Sequence, residues 1–208
     1  MECDFLVVGA GASGSAIAGR LSENIDNSVI VAEAGGWDTS PFLRLPGLGF
    51  YASAIPRYNW NFTSDPISEL NDKRIPLLQG KVLGGSSSIN GMIFTRGHSS
   101  EYDKWVQMGC SGWGFEDLLP YFLKLENNFR GAGKWHGDKG PIRLRRANPN
   151  LPICDAFLES ASSAGLPVVN DLNANHPEGV GWYDVNINNG LRVSASQAYL
   201  RSTLKKKI

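Results

Sequence analysis

The 208-residue sequence has no surplus charge of either sign: 20 Lys and Arg stand against 20 Asp and Glu. This excludes the basic surface that a nucleic-acid binder needs for its phosphate contacts. It equally excludes the acidic composition of a disordered, solvating segment. Cysteine is scarce. Cys3, Cys110 and Cys154 are odd in number, far apart and form no CxxC pair, which suits a reducing compartment rather than a disulfide framework. Long apolar runs are absent too: Phe5–Val8 and Val29–Ala32 are far too short to cross a bilayer. No charged n-region followed by an apolar h-region marks a signal peptide, so the Asn61-Phe62-Thr63 sequon reads as a chance match. The expectation is a soluble, cytoplasmic chain with no membrane and no nucleic-acid partner.

What is present is apolar and rich in glycine. Hydrophobic residues make up 42%, with 6 Trp, 9 Phe and 6 Tyr, enough for a real core. The 24 glycines show no collagen-like period and therefore point to tight turns and close backbone approaches. Asp4 to Val8 reads as a buried parallel strand. It runs into Gly9-Ala10-Gly11-Ala12-Ser13-Gly14, after which Ala16, Ile17 and Leu21 recur at helical spacing. A second strand, Val29–Ala32, ends at Glu33. Taken alone, GxGxxG is a weak signal that a plain glycine turn would satisfy. Between a strand and a helix it gains a mechanism: Gly9 for the turn, Gly11 for approach to a pyrophosphate, and Gly14 for close packing of the helix. The helix N-terminus adds unpaired N–H groups and the positive end of a dipole. Glu33, about twenty residues beyond the glycines, is placed to accept hydrogen bonds from both adenosine ribose hydroxyls and would repel a 2′-phosphate, which disfavours NADP. A dinucleotide site follows. From Gly35 to Leu78, Pro41, Pro46, Pro56, Pro66 and Pro76 rule out long helices. The third βα unit of an NAD-binding fold is therefore missing, and a long ordered loop with Phe50, Tyr51, Tyr58, Trp60 and Phe62 packed on something suits FAD.

Further along, short amphipathic helices are predicted over 101–108 and 115–126, the second with a buried stripe of Leu118, Leu119, Phe122 and Leu125. A strand is expected over 141–144 and a helix over 152–164, with Ile153, Phe157, Leu158 and Ala161 on one side. Val180–Ile187 alternates loosely like a strand, and Ser194–Leu204 looks helical. Lys205, Lys206 and Lys207 read as a solvated terminus.

The segment Gln79 to Met92 holds Gly84, Gly85, Ser86, Ser87, Ser88 and Asn90, bracketed by Leu83, Ile89, Met92 and Ile93. Its donors suit phosphates or the polar edge of a flavin, and the apolar flanks argue against a flexible linker. Together with Gly9–Gly14 and Glu33-Ala34-Gly35-Gly36, this segment resembles the glucose-methanol-choline (GMC) family of flavoprotein oxidoreductases. The resemblance continues through Thr95-Arg96-Gly97, Tyr102-Asp103-Lys104-Trp105, Trp113–Phe122, His136-Gly137 with Gly140-Pro141, and Arg192–Leu200. It implies an α/β chain: a Rossmann-type FAD-binding domain over 1–145, the start of a second, substrate-facing domain over 146–190, and a return toward the FAD domain over 191–208. It further implies Gly9, Gly11 and Gly14, with Ala12 and Ser13 between them, at the FAD pyrophosphate, and Glu33 with Ala34 at the ribose. Val82, Gly85, Ser86, Asn90, Gly91 and Met92 would lie along the flavin. Some relatives attach FAD through a His at the position of Ile89, so FAD is expected to be non-covalent here.

The resemblance also implies oxidation of a CH–OH group of a small-molecule alcohol to an aldehyde or ketone, by hydride transfer to the flavin. The family's second signature and its late His pair have no counterpart, so the expectation is an N-terminal portion without the catalytic residues. His98, His136 and His176 read as surface or structural, and Glu101 and Asp103 as helix-start charges. No catalytic residue and no metal ligand is assigned. Alternatives are a flavin-containing non-redox lyase of the same family and a non-catalytic short chain acting through a partner. Apolar edges left exposed by missing strands would favour self-association.

Overall fold

Two short apolar quartets and the glycine turn between them build a βαβ unit. β1 (Phe5–Val8) and β2 (Val29–Ala32) pair in parallel, in register from Phe5↔Val29 to Val8↔Ala32, with α1 (Ala12–Leu21) between them in sequence. The computed structural model describes residues 2–147, 150–174 and 178–204. It divides into two compact units, Met1–Met92 with Ile187–Ile208, and Ile93–Asn186. His176 and Lys205–Ile208 lie outside the described residues.

In the first unit β1 is parallel as expected, but it is not buried. Side chains alternate across a strand. Val7 therefore packs with Val29 and Val31 against Ala10, Ala18 and Leu200, while Leu6 and Val8 face the other way and stay 61% and 81% exposed. The Pro-punctuated stretch forms only short elements: α2 (Pro41–Arg44), a 3₁₀ turn at Pro46–Leu48, α3 (Gly49–Ala54), and a two-residue antiparallel ladder of β3 (Phe62–Thr63) with β4 (Pro76–Leu77). Of its aromatics only Tyr58 packs against the buried cluster of Leu43, Ala52, Val82 and Ile89. Phe50, Tyr51, Trp60 and Phe62 are exposed. Trp60 and Phe62 stack on each other at 5.8 Å, with the Lys81 ammonium 4.5 Å from the Trp60 ring, so they are satisfied at the surface. Gly85–Ser88 is a 3₁₀ turn.

The second unit contains β5 (Ile93–Phe94), α4 (Ser99–Gln107), α5 (Phe115–Leu125), β6 (Glu126–Asn128), β7 (Ile142–Arg146), α6 (Pro152–Ser163) and β8 (Asp184–Val185). Its sheet order is β5-β8-β7-β6, with β6 and β7 parallel and the other pairs antiparallel. Tyr102 of α4 packs edge-on to Trp105 at 5.1 Å and lies 5.8–5.9 Å from Phe122 and Phe115 of α5. Asp103 accepts from Phe115 N at 3.3 Å, so it joins the two helices instead of merely starting one. On α6 only Ala161 is buried, with Cys154 and Leu158 half-buried on the same line. The expected Ile153 and Phe157 are 73% and 64% exposed, because a narrower stripe satisfies the contact this helix makes.

The chain then returns to the first unit. β9 (Ile187–Asn188) and β10 (Leu191–Arg192) form a hairpin, and a five-residue π-helical turn, Ser196–Leu200, replaces the expected longer helix. Val180–Ile187 is not one strand but contributes to two short ones, β8 and β9. The π-turn packs on α1 at Gly19, where a Cβ would lie 2.9 Å from Tyr199 Cβ.

Candidate cofactor site

The glycine turn leaves a helix N-terminus open. Gly9 has φ +90°, a region costly for any residue with a Cβ. Gly11 is the N-cap of α1 and brings no side chain to cap it, and the first turn holds no acidic residue. Ser15 N donates to Gly11 O at 2.9 Å, so the N–H groups of Ala12, Ser13 and Gly14 precede the first helical bond. A Cβ built on Gly11 meets nothing within 4 Å, whereas one on Gly14 would lie 1.9 Å from Gly9 O. The third glycine therefore allows the helix to sit directly on the turn's own carbonyl. Glu33, at the end of β2, is tied into the same turn: Oε2 accepts from Ala10 N at 2.7 Å and Oε1 from Gly35 N at 2.8 Å. Ala34 beside it is exposed.

Residues 80–92 nest onto this turn. Gly84 N donates to Ala10 O at 2.7 Å and Leu83 N to Gly36 O at 3.0 Å. Gly85 has φ +55°, and a Cβ there would lie 2.8 Å from Gly11 Cα. Val82 is fully buried in the core beneath. The serine hydroxyls largely build the loop: Ser86 Oγ accepts from Gly80 N at 3.1 Å, Ser87 Oγ donates to Gly84 O at 2.5 Å, and Ser88 Oγ donates to Leu83 O at 2.7 Å. Asn90 and Gly91 are exposed. Met92 is buried with φ +64°, and its N–H donates to Asn90 Oδ1 at 3.0 Å.

Two further residues of this unit escape a sequence reading. Arg192, 2% exposed, donates from Nε to Leu43 O at 3.0 Å, and from Nη1 to Asn90 Oδ1 at 2.8 Å and Ser87 O at 3.2 Å. Burial pulls its pKa down to about 10. Asp38, equally buried, accepts from Ser194 Oγ at 3.2 Å, from Ser196 Oγ, and from Gln197 Nε2 at 2.6 Å, and pairs with Arg201 at 3.4 Å. Both fasten the returning segment to residues beside the glycine turn. The only sequence signal is that Arg192 opens the Arg192–Leu200 landmark.

In the second unit, titratable groups form a buried ionic cluster. Arg96 pairs with Glu126 at 2.7 Å, and His136 bridges Glu126 at 3.1 Å and Asp171 at 2.6 Å. Arg130 pairs with Asp184 at 2.6 Å. Burial alone would lower the His136 pKa, but hydrogen bonds to Asp171 and Glu126 and their charges raise it to about 9. Burial opposes the Asp171 carboxylate, yet His136, Asn173 N and Arg130 bring it down to about 2. His136 is thus held between two carboxylates. His98 caps α4, its Nδ1 accepting from Ser100 N at 3.2 Å. Among the described residues no His, Cys, Asp and Glu group could hold a metal ion, and no helix is long and apolar enough to cross a membrane.

A sequence profile described as GMC oxidoreductase matches residues 3–208. Over 207 residues the chain is 43% identical to a protein of Rhizobium etli named oxygen-dependent choline dehydrogenase, covering 100% of this chain and 38% of that protein. Among solved structures, pyridoxine 4-oxidase from Mesorbium loti matches with a TM-score of 0.92 at 32% identity, over 99% of this chain and 41% of that one. An FAD-dependent oxidoreductase from Chaetomium thermophilum gives 0.89 at 28% identity, over 99% and 37%. The chain spans about two-fifths of the length of these relatives.

Proposed function

Because this chain belongs to the GMC oxidoreductase family, we propose that it binds FAD non-covalently and forms the cofactor-holding portion of an enzyme oxidising a small-molecule alcohol. The observation that carries this reading is the α1 N-terminus. It has no capping side chain and no acidic first turn, and it opens at Gly11 onto space that a Cβ would not fill. Such an end attracts an anion, and the pyrophosphate of FAD supplies one against Gly9, Gly11, Ala12, Ser13 and Gly14. Glu33, with Ala34, takes the ribose hydroxyls. Its two oxygens each accept one backbone bond, and an ionised carboxylate has acceptor capacity left for two more. Gly85, Ser86, Asn90, Gly91 and Met92 line the flavin side, with Val82 supporting them from the core beneath. Ile89 is buried among aliphatic neighbours and has no group able to form a bond to the cofactor.

The chemistry FAD supplies is two-electron oxidation of a CH–OH carbon to a carbonyl. Choline and pyridoxine, for which two relatives are named, both carry such a group. What this chain's residues do is bind and orient: the turn holds the anion, and the loop over 80–92 presents backbone and amide groups. Residues 1–145 and 191–208 serve the cofactor in this reading and 146–190 begin the substrate side. No proton-transfer residue is assigned, since His98 caps a helix and His136 is engaged by two carboxylates.

The test is a visible spectrum of the purified chain after gel filtration with FAD, repeated after denaturation. Flavin bands should co-elute and be released on unfolding. Gly11→Ala should melt like the unaltered chain but elute colourless, because its methyl enters only the space assigned to the phosphates. An unaltered chain that elutes without flavin overturns the reading.

A further inference from the structure

Among the described residues Arg192 is a buried cation with no buried anion paired to it. Its guanidinium is met by two backbone carbonyls and one neutral amide, and among the described residues Nη2 has no hydrogen-bond partner. Gly49 leaves it room, since a Cβ there would lie 2.6 Å from Nη2. Withdrawing a charge from water without a counter-charge is costly. The returning segment shows what a satisfied buried charge looks like a few residues on, where Asp38 takes hydrogen bonds from Ser194, Ser196 and Gln197 and pairs with Arg201. Fastening the returning segment needs the three hydrogen bonds of Arg192 but not an uncompensated charge, so the charge points to a further use.

That use lies in what Arg192 does to Asn90. An asparagine amide can turn its oxygen or its nitrogen toward either side. Here two donors, Arg192 Nη1 at 2.8 Å and Met92 N at 3.0 Å, both address one end, so that end must be the oxygen. The amide is locked, and its NH₂ is left as the donor of an exposed residue. A cationic donor on the carbonyl oxygen also polarises the amide and strengthens its N–H groups. We propose that Arg192 is a positioning residue of the cofactor site: it fixes the Asn90 amide with its NH₂ outward and sharpens that NH₂ as a donor to an electron-rich edge of the bound flavin, favouring the reduced form. This inference rests on the FAD reading above and adds to it the residue that tunes the cofactor.

The experiment uses the 208-residue chain reconstituted with FAD, in unaltered form and as Arg192→Met, Arg192→Lys and Asn90→Ala. Flavin affinity is read by fluorescence quenching and the midpoint potential by dye-coupled reduction. Arg192→Met should weaken FAD binding about tenfold, the scale of a lost charge-assisted hydrogen bond, and lower the potential. If reduced flavin loses about tenfold more affinity than oxidised flavin, the potential falls by about 30 mV. Arg192→Lys, which restores charge and one donor, should recover part of both effects. Asn90→Ala changes an exposed side chain and so keeps the test alive if Arg192→Met does not fold; it should lower the potential similarly. Affinity and potential unchanged in Arg192→Met or in Asn90→Ala overturn this inference alone, as does Arg192→Lys behaving no better than Arg192→Met. Failure of the unaltered chain to bind FAD overturns it together with the reading on which it rests.

Discussion

At Gly14 one methyl group would have to displace backbone, whereas at Gly11, three residues earlier, it would meet open space. A Cβ at Gly14 falls 1.9 Å from Gly9 O and 3.4 Å from Val7 Cγ1. The carbonyl cannot yield without moving the turn, so Gly14→Ala should cost about 1–3 kcal/mol, the range of overpacked sites, read as a lower urea midpoint at unchanged slope. Gly11→Ala should leave that midpoint in place, which separates the folding role of one glycine from the binding role of the other. His136 gives a second prediction at this scale. Its pKa is raised to about 9 by Asp171 and Glu126, so the protonated form is favoured by folding. The stabilisation is complete below the unfolded value near 6.5 and is lost as pH rises through 9. The shift corresponds to roughly 3 kcal/mol. Thermal melts should therefore fall between pH 6.5 and 9.5, and His136→Gln should flatten that dependence while melting lower at pH 6. A His136→Gln profile parallel to that of the unaltered chain would refute the assignment. The depressed Asp171 works in the opposite direction, its contribution being lost only as pH falls toward about 2.

Among elements, the returning segment matters most to the site and is the least visible in sequence. Its bonds join Arg192 to Asn90 across 102 residues and Arg201 to Asp38 across 163. No local pattern encodes such pairings, so Asp38 is indistinguishable in sequence from any loop aspartate. The glycine turn, Glu33 and the helix after them are legible for the opposite reason: strand, turn and helix are adjacent, and each glycine answers to a nearby contact. The π-helical turn Ser196–Leu200 is legible only as helical, because its wide turn follows from the packing of Tyr199 on Gly19 of α1 rather than from residue preference. Asp38→Ala should release this segment, since it leaves Ser194, Ser196 and Gln197 without their shared acceptor and Arg201 without its partner. Limited proteolysis should then cut within 193–204 in the variant at protease levels that leave the unaltered chain intact. Equal resistance of the two chains would show that the Ala18, Leu200 and Leu204 contacts hold the segment unaided.

At the scale of the whole molecule, sequence pattern identifies which side chains share a face but not whether anything covers that face. For this reason β1 is legible in sequence as a parallel strand but the exposure of Leu6 and Val8 is not. Among the described residues its two-stranded sheet leaves one edge of each strand unpaired, and Leu6 and Val8 extend an apolar strip along one face. Unpaired edges and contiguous apolar surface both promote association. Nothing in the overall charge opposes it, because the formal net charge at pH 7 is zero and like copies therefore feel little mutual repulsion. Sedimentation velocity at pH 7 should accordingly show a weight-average mass that rises with concentration and is not reduced by added salt, since apolar contacts are not screened. Leu6→Lys with Val8→Lys should restore the monomer, because both side chains are already exposed and lysine there adds charge without disturbing the packing on α1. A monomer at every concentration would show that the exposed strip is too small to drive pairing. Association that survives the double substitution would place the contact elsewhere, with the exposed Ile153 and Phe157 of α6 as the next face to charge.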